Sequence, residues 1–395
     1  MKRSLLFFLG ILSLSAGVQV SAADLSWGDP TLDSGQFKVS GAVRSRYLHK
    51  NYVVEANEGS QNDDWRLTDI KLVLGYENPD WIAGLDARCY QYNRLCDAIF
   101  LKKAWAGYKL SDQQRITVGL QPVDFGFGEF WGSSYYETLL NTVGLEDIDN
   151  LGIKYKFADN KYNLTLGFYP TDGGNYKGTS KDSSRYSGNF VEADDLSNGT
   201  NIEEKNMWIG RASRKFEIDK TQNFSTELGG SAWYSDLENK RTNIDGHRKS
   251  WNIFAQTQYQ AWQWMFLAGK QDVTNGDDLF PNSSTIGAFD YPYQVANKGK
   301  YLVNEINYTF AQPFHQLTNI KPYISHSRFF KDEDDYKDSE RLIAGVYFNY
   351  KAIGIQGEYI MSKNDPMVGG GANGLAQGSS NDWDKMFYLS IGYYF

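Results

Sequence analysis

Charged and aromatic side chains fall into two groups along this 395-residue chain. The first is basic: Arg44, Arg46, Lys71, Arg88, Lys154 and Lys156 each sit in a segment where polar and apolar residues alternate. The second is the stretch 122–150, where Phe125, Phe127, Phe130, Trp131, Tyr135 and Tyr136 accompany Asp124, Glu129 and Glu137. Acids facing bases across a gap create a transverse field, and rows of charged side chains are how a passage selects among ions. Aromatic faces add surfaces on which the C–H faces of sugar rings stack while the hydroxyls bond to nearby charges. Bond-breaking chemistry has less to stand on. The histidines are His49, His247, His315 and His326, and His326 beside Ser327 lies in no recognisable nucleophile motif. The acidic run 332–335 reads as a solvated charge run. The glycines at 369–371 precede no Lys-Ser or Lys-Thr of a phosphate loop. Two cysteines alone make an incomplete zinc site, so neither cofactor nor metal is expected.

These residues must be positioned by strands, because period-2 alternation runs from one end of the chain to the other. Phe387, Leu389, Ile391, Tyr393 and Phe395 alternate with Tyr388, Ser390, Gly392 and Tyr394, and Phe37, Val39, Gly41 and Val43 alternate with Lys38, Ser40, Ala42 and Arg44. In a strand the two sets point to opposite sides of the sheet. About sixteen such segments are expected, near 36–50, 65–77, 81–90, 98–109, 115–121, 151–157, 162–169, 206–216, 224–235, 249–260, 263–272, 300–310, 319–329, 340–350, 353–363 and 384–395. Short turns such as Asn78-Pro79-Asp80 and Lys351-Ala352 alternate with long polar stretches at 51–64, 122–150, 170–205, 273–299 and 364–383. Turns at one end and loops at the other describe an all-β, antiparallel up-and-down transmembrane barrel. Closure is required in lipid, since an open edge would leave backbone groups unpaired. Sixteen strands leave an aqueous channel instead of a packed interior.

Export is expected from the N-terminus, where Lys2 and Arg3 precede an apolar run ending in the small residues Ser21-Ala22-Ala23. Residues 1–23 read as a signal peptide and 24–395 as the barrel. The apolar run is shorter than the roughly 20 residues a spanning helix needs. A mean hydropathy of −0.53 looks soluble, but a barrel with a polar lumen places apolar residues only at alternate positions. The formal charge of −8 argues against a nucleic-acid partner, which needs a positive surface. In an exported protein Cys89 and Cys96 fit one disulfide across a hairpin tip.

The stretch 122–150 is the third long connection, and a solvent-facing loop rarely carries six aromatics. It is expected to fold into the barrel and narrow it, its apolar side on the wall and Asp124, Glu129 and Glu137 toward the channel. Arg44, Arg46, Lys71, Arg88, Lys154 and Lys156 are expected on the lumen face opposite. A loop packed at the barrel mouth or at a subunit contact is the alternative. Tyr and Trp are also girdle residues of membrane barrels, which accounts for much of the aromatic content without a ligand.

The segment Lys103-Ala104-Trp105-Ala106-Gly107-Tyr108-Lys109, followed by Ile116-Thr117-Val118-Gly119-Leu120-Gln121-Pro122 and then Phe125-Gly126, resembles the central part of sixteen-stranded bacterial porins. It is most like the phosphate-selective (O/P-type) and carbohydrate-selective members. The resemblance implies a homotrimer in outer-membrane lipid, a passive diffusion pore, a constriction loop at 122–150, and an assembly signal at the terminal aromatic Phe395. Phosphate-selective members carry a ladder of pore arginines and lysines. Here the bases are fewer and the constriction loop is acidic and aromatic, which favours saccharides, with an anion-selective pore as the alternative.

Overall fold

The computed structural model describes residues 25–52, 63–91, 94–96, 98–173, 185–192, 198–289, 291–310 and 314–395. The expected signal peptide and parts of the stretches 51–64 and 170–205 lie outside them. In chain order the strands are β1 (Leu25–Gly28), β2 (Gln36–Lys50), β3 (Asp63–Glu77), β4 (Trp81–Tyr90), β5 (Ala98–Ser111), β6 (Gln114–Pro122), β7 (Asp149–Ala158), β8 (Tyr162–Thr171), β9 (Arg185–Phe190) and β10 (Ile202–Asp219). They continue with β11 (Phe224–Asn239), β12 (Ile244–Tyr259), β13 (Trp262–Thr274), β14 (Ser283–Phe289), β15 (Tyr291–Ala296), β16 (Lys298–Tyr308), β17 (Leu317–Lys331), β18 (Ser339–Tyr350), β19 (Ile353–Lys363) and β20 (Asp384–Tyr394). One helical turn, α1 (Leu139–Val143), lies between β6 and β7.

Leaving aside β1, β9, β14 and β15, the strands pair antiparallel with their sequence neighbours, and β20 pairs with β2 from Ala42↔Tyr394 to Lys50↔Met386. The result is a closed sixteen-stranded barrel in the described residues. All sixteen segments read from alternation are barrel strands. Their outward sets are apolar: Val43, Ile70, Leu72, Val118, Leu151, Ile153, Leu166, Leu228, Trp251, Ile253, Ile306 and Ile324 are each more than 40 % exposed, as lipid contact requires.

Four strands and the helical turn were not anticipated. β1 pairs with the start of β2, Leu25↔Val39 to Gly28↔Gln36. It continues the line of β20, since Phe395 and Gly41 exchange backbone hydrogen bonds at 2.8 and 3.1 Å just beyond it. β9, β14 and β15 form a separate three-stranded sheet out of stretches expected to be loop. Its Phe190, Ile286, Tyr293 and Val295 are buried in one apolar cluster with Phe125, Trp131, Leu139 and Leu140 of the 122–150 loop and with Trp233, Leu267, Tyr301 and Phe329 of the barrel strands. Much of the lumen beside β10–β17 is therefore packed solid.

Candidate functional site: the inward-folded loop and its basic wall

The connection between β6 and β7 turns into the barrel at Val123 and crosses it. Its first anchor is on β10 and β11: the Gly126 N–H donates to Ser231 Oγ at 3.0 Å, and Arg211 Nε donates to the Gly126 carbonyl at 2.8 Å. Gly126 has φ of 61°, and a Cβ there would run into the Trp131 ring, so glycine is required by both conformation and space. The loop next meets β16, where Glu305 accepts from Ser133 N at 2.8 Å and from Ser133 Oγ at 2.6 Å. It then reaches β19, where Glu358 accepts from Tyr135 N at 3.0 Å and from Tyr323 Oη at 2.5 Å.

The return limb is held equally firmly. Thr138 caps α1 by accepting from Leu140 N, and Gly144 closes it in the left-handed conformation. Ser327 Oγ accepts from Leu139 N at 2.9 Å. Arg341, 1 % exposed, donates to the Thr138 carbonyl at 2.9 Å, to Thr142 Oγ1 at 3.0 Å and to Asp365 at 2.7 Å. Arg248 donates to the Gly144 carbonyl at 2.8 Å. Carboxylates and guanidinia on five different strands thus satisfy the loop's backbone, as burial of irregular chain demands.

On the opposite wall the bases meet acids. Arg44 on β2 grips Asp69 on β3 through two bonds of 2.7 and 2.5 Å, and the Arg44 guanidinium lies 5.0 Å from the Tyr135 ring centroid. Arg88 forms a similar fork to Asp86, at 3.0 and 2.9 Å, and Lys71 reaches the same Asp86 at 3.4 Å. Arg46 and Arg66 share Asp64 at 3.9 and 2.8 Å. The fork geometry fixes each guanidinium plane.

Of the loop acids, Asp124 and Glu129 are partnered by lysines. Asp124 lies 3.0 Å from Lys154 and 3.7 Å from Lys156. Glu129 binds Lys102 at 2.7 Å and Lys103 at 2.5 Å, and Lys102 bonds Asp147 at 2.7 Å as well. Glu137 has φ of 62° and gives its carbonyl to Arg341 at 3.3 Å. Trp131 is fully buried, with its indole N–H donating to Phe125 and Gly128 carbonyls. Tyr135 stacks on Tyr388 of β20, ring centroids 5.5 Å apart. The sequence thus named residues that do come together, Arg44 with Tyr135 and Asp124 with Lys154 and Lys156. Trp131 instead belongs to the apolar filling.

The sequence reading assigned no role to Lys102, Asp69, Asp86, Arg341, Glu305 or Glu358, although alternation puts Glu358 with Gln356 on the inward face of its strand. Lys102 and Lys103 are consecutive, so a strict period of two would turn one of them to lipid. A bulge opposite Asp86 and Ala87 in the β4–β5 ladder inserts a residue and turns both inward. His326 and Ser327 follow the ordinary rule. His326 is on the outer face, bonded to Glu340 at 2.8 Å, and Ser327 is inside on the loop, so the pair cannot act together. Cys89 and Cys96 are disulfide-bonded.

Residues 81–264 match the family model described as phosphate-selective porin O and P. The fold as a whole is similar to the outer-membrane channel DcaP of Acinetobacter baumannii, with TM-score 0.60, 11 % identity, and 92 % of this chain and 99 % of that chain covered. The chain has the fold of a sixteen-stranded outer-membrane porin, and its central part resembles that family. The porin fold is also similar to the anion-selective porin from Comamonas acidovorans, with TM-score 0.54, 11 % identity, and coverage of 91 % and 99 %. OmpT of Vibrio cholerae in a trimer form gives TM-score 0.52, 10 % identity, and coverage of 91 % and 99 %. No curated protein sequence matches the chain. A closed sixteen-stranded barrel with a loop folded inward is the architecture these channels share.

Proposed function

We propose that this porin passes small uncharged hydrophilic solutes, saccharides above all, through a charge-compensated passage between the 122–150 loop and the β2–β5 wall. The observation that carries the reading is the Arg44–Asp69 fork beneath Tyr135. A guanidinium already held by a carboxylate has little net field to offer an ion; Asp69 is buried beneath it, and the partly exposed edge of Arg44 is what remains for sugar hydroxyls. The adjacent phenol ring offers a face for the C–H side of a pyranose. Arg88–Asp86 beside Tyr90, and Lys102–Glu129 near Phe130, repeat the combination of paired charge and ring. Liposome swelling with sugars of graded size tests this reading. Swelling by mono- and disaccharides supports it, and exclusion of every sugar in liposomes that still pass chloride counts against it.

A second reading, anion selectivity, is favoured by Lys154, Lys156 and Arg211, whose acidic neighbours are Asp124 and Glu227, and by the family's description. We further propose a homotrimer, by analogy with the trimeric form of the similar OmpT structure. The mass of the detergent-solubilised protein tests it: three chains per particle supports the proposal and one chain contradicts it.

A further inference from the structure

The outer wall carries a charge arrangement that the passage does not use. On β13 and β16, Lys270 stands directly opposite Lys300 in the ladder. Both point to the lipid side, since the alternate residues Leu267, Val273, Tyr301 and Val303 are buried inside. Like charges at opposed positions in a sheet repel. Lys270 has Asp332 at 3.2 Å, while Lys300 is exposed with no carboxylate in ion-pair reach among the described residues. One rung above, Asp272 lies between the exposed Lys249 and Lys298, and one rung below is Arg328, bonded to Asp338 at 2.9 Å. Five cations face four carboxylates, counting Glu340 opposite Arg328, on a chain of net charge −8.

The height of this patch is set by its own strands. The far end of the β13–β16 lane is Trp262 opposite Tyr308, rings 4.8 Å apart. Eight residues separate that pair from the lysines on each strand, roughly 27 Å along a strand and about 20 Å along the membrane normal at a barrel tilt of ~40°. Trp264, Phe266, Ala268, Leu302 and Ile306 occupy most of the interval. The lysines therefore sit at the headgroup level of the leaflet on the long-loop side. On the same rung Trp251, 52 % exposed, is opposite Lys270, and Phe330 is opposite Lys300.

We propose that Lys270 and Lys300, flanked by Trp251 and Phe330, bind the phosphate of a phosphorylated lipid in that leaflet, with Lys249 and Lys298 reaching the same headgroup. An anion between the two ammonium groups turns their repulsion into attraction, the rings lie against the upper part of the lipid, and the apolar lane below takes its acyl chains.

Native mass spectrometry of the detergent-solubilised mature porin tests this, with phosphorylated lipid A, dephosphorylated lipid A and inorganic phosphate as separate probes. Phosphorylated lipid A should bind, and K270Q/K300Q should weaken it by at least about tenfold. Dephosphorylated lipid A should bind both proteins weakly and equally. Inorganic phosphate in millimolar excess should not displace the lipid. Equal binding of phosphorylated lipid A by both proteins overturns the site. Displacement by inorganic phosphate overturns the lipid as its source, and a lower oligomer mass in the variant shows instead that a second copy covers this face. Unchanged single-channel conductance establishes that the variant is folded. Should the double variant fail that check, K300Q alone should still lose binding severalfold, and K300R should retain it.

Discussion

Ser133 and Glu305, 172 residues apart in sequence, are joined by hydrogen bonds from both the backbone N–H and the hydroxyl of the serine to one buried carboxylate. This junction holds the 122–150 loop against the wall of β16, midway between its anchors on β10–β11 and on β19.

Changing Glu305→Ala removes the acceptor of the Ser133 N–H, and leaving that buried donor unsatisfied costs about 1–3 kcal/mol. The loop should then depart from its crossing position. Planar-bilayer recordings should show larger or noisier unit conductance than wild type, with the barrel's resistance to unfolding in detergent nearly unchanged. Wild-type conductance in the variant would mean the junction does not hold the loop.

Arg341→Met should be more damaging, because one guanidinium satisfies Thr138, Thr142 and Asp365 together. Loss of one partner from a buried charge pair costs roughly 3–5 kcal/mol. Proteolysis within 136–145, absent in wild type, is the expected signature. Equal resistance of both proteins would contradict it.

The barrel was legible in the sequence because lipid outside and water or polar packing inside impose a period of two on every strand, and because turn and loop lengths alternate. The inward loop was legible from its aromatics, Phe125, Phe127 and Trp131, which have no reason to face solvent. What escaped detection depends on departures from that period or on distant pairing. The bulge that brings Lys102 in beside Lys103 has no mark in the local residue types. The acids Asp69 and Asp86 meet the bases through neighbouring strands or a same-face position two residues away, and the residue pattern alone cannot show that each of these bases has a carboxylate partner. The β9–β14–β15 sheet joins two loops separated by more than ninety residues, a contact that local alternation does not encode.

The disulfide between Cys89 and Cys96 closes a seven-residue separation, for which loop-closure entropy gives about 2–3 kcal/mol. Replacing both cysteines by serine should lower the unfolding midpoint modestly and leave conductance intact. A changed conductance would bring the 91–97 hairpin into the passage.

Asp277, in the connection after β13, responds to pH. Burial raises its pKa, but the Arg241 guanidinium, the Asn239 amide and the Phe280 N–H together outweigh burial and hold it below the usual carboxylate range. A depressed pKa contributes stability that is complete above the unfolded value, near pH 4, and is lost as pH falls through the folded value. Amide exchange across 277–283, corrected for intrinsic rate, should accelerate below about pH 4 in wild type and be independent of pH in Asp277→Asn. Identical profiles would refute the coupling.

Charge compensation of the proposed passage is measured most directly by the reversal potential of single channels in a potassium chloride gradient. Wild type should reverse close to zero, and Asp69→Asn, which frees Arg44 from its carboxylate, should move the reversal toward the chloride potential. A wild-type reversal already near the chloride potential, unmoved by Asp69→Asn, would contradict charge compensation and assign the channel to the anion-selective class.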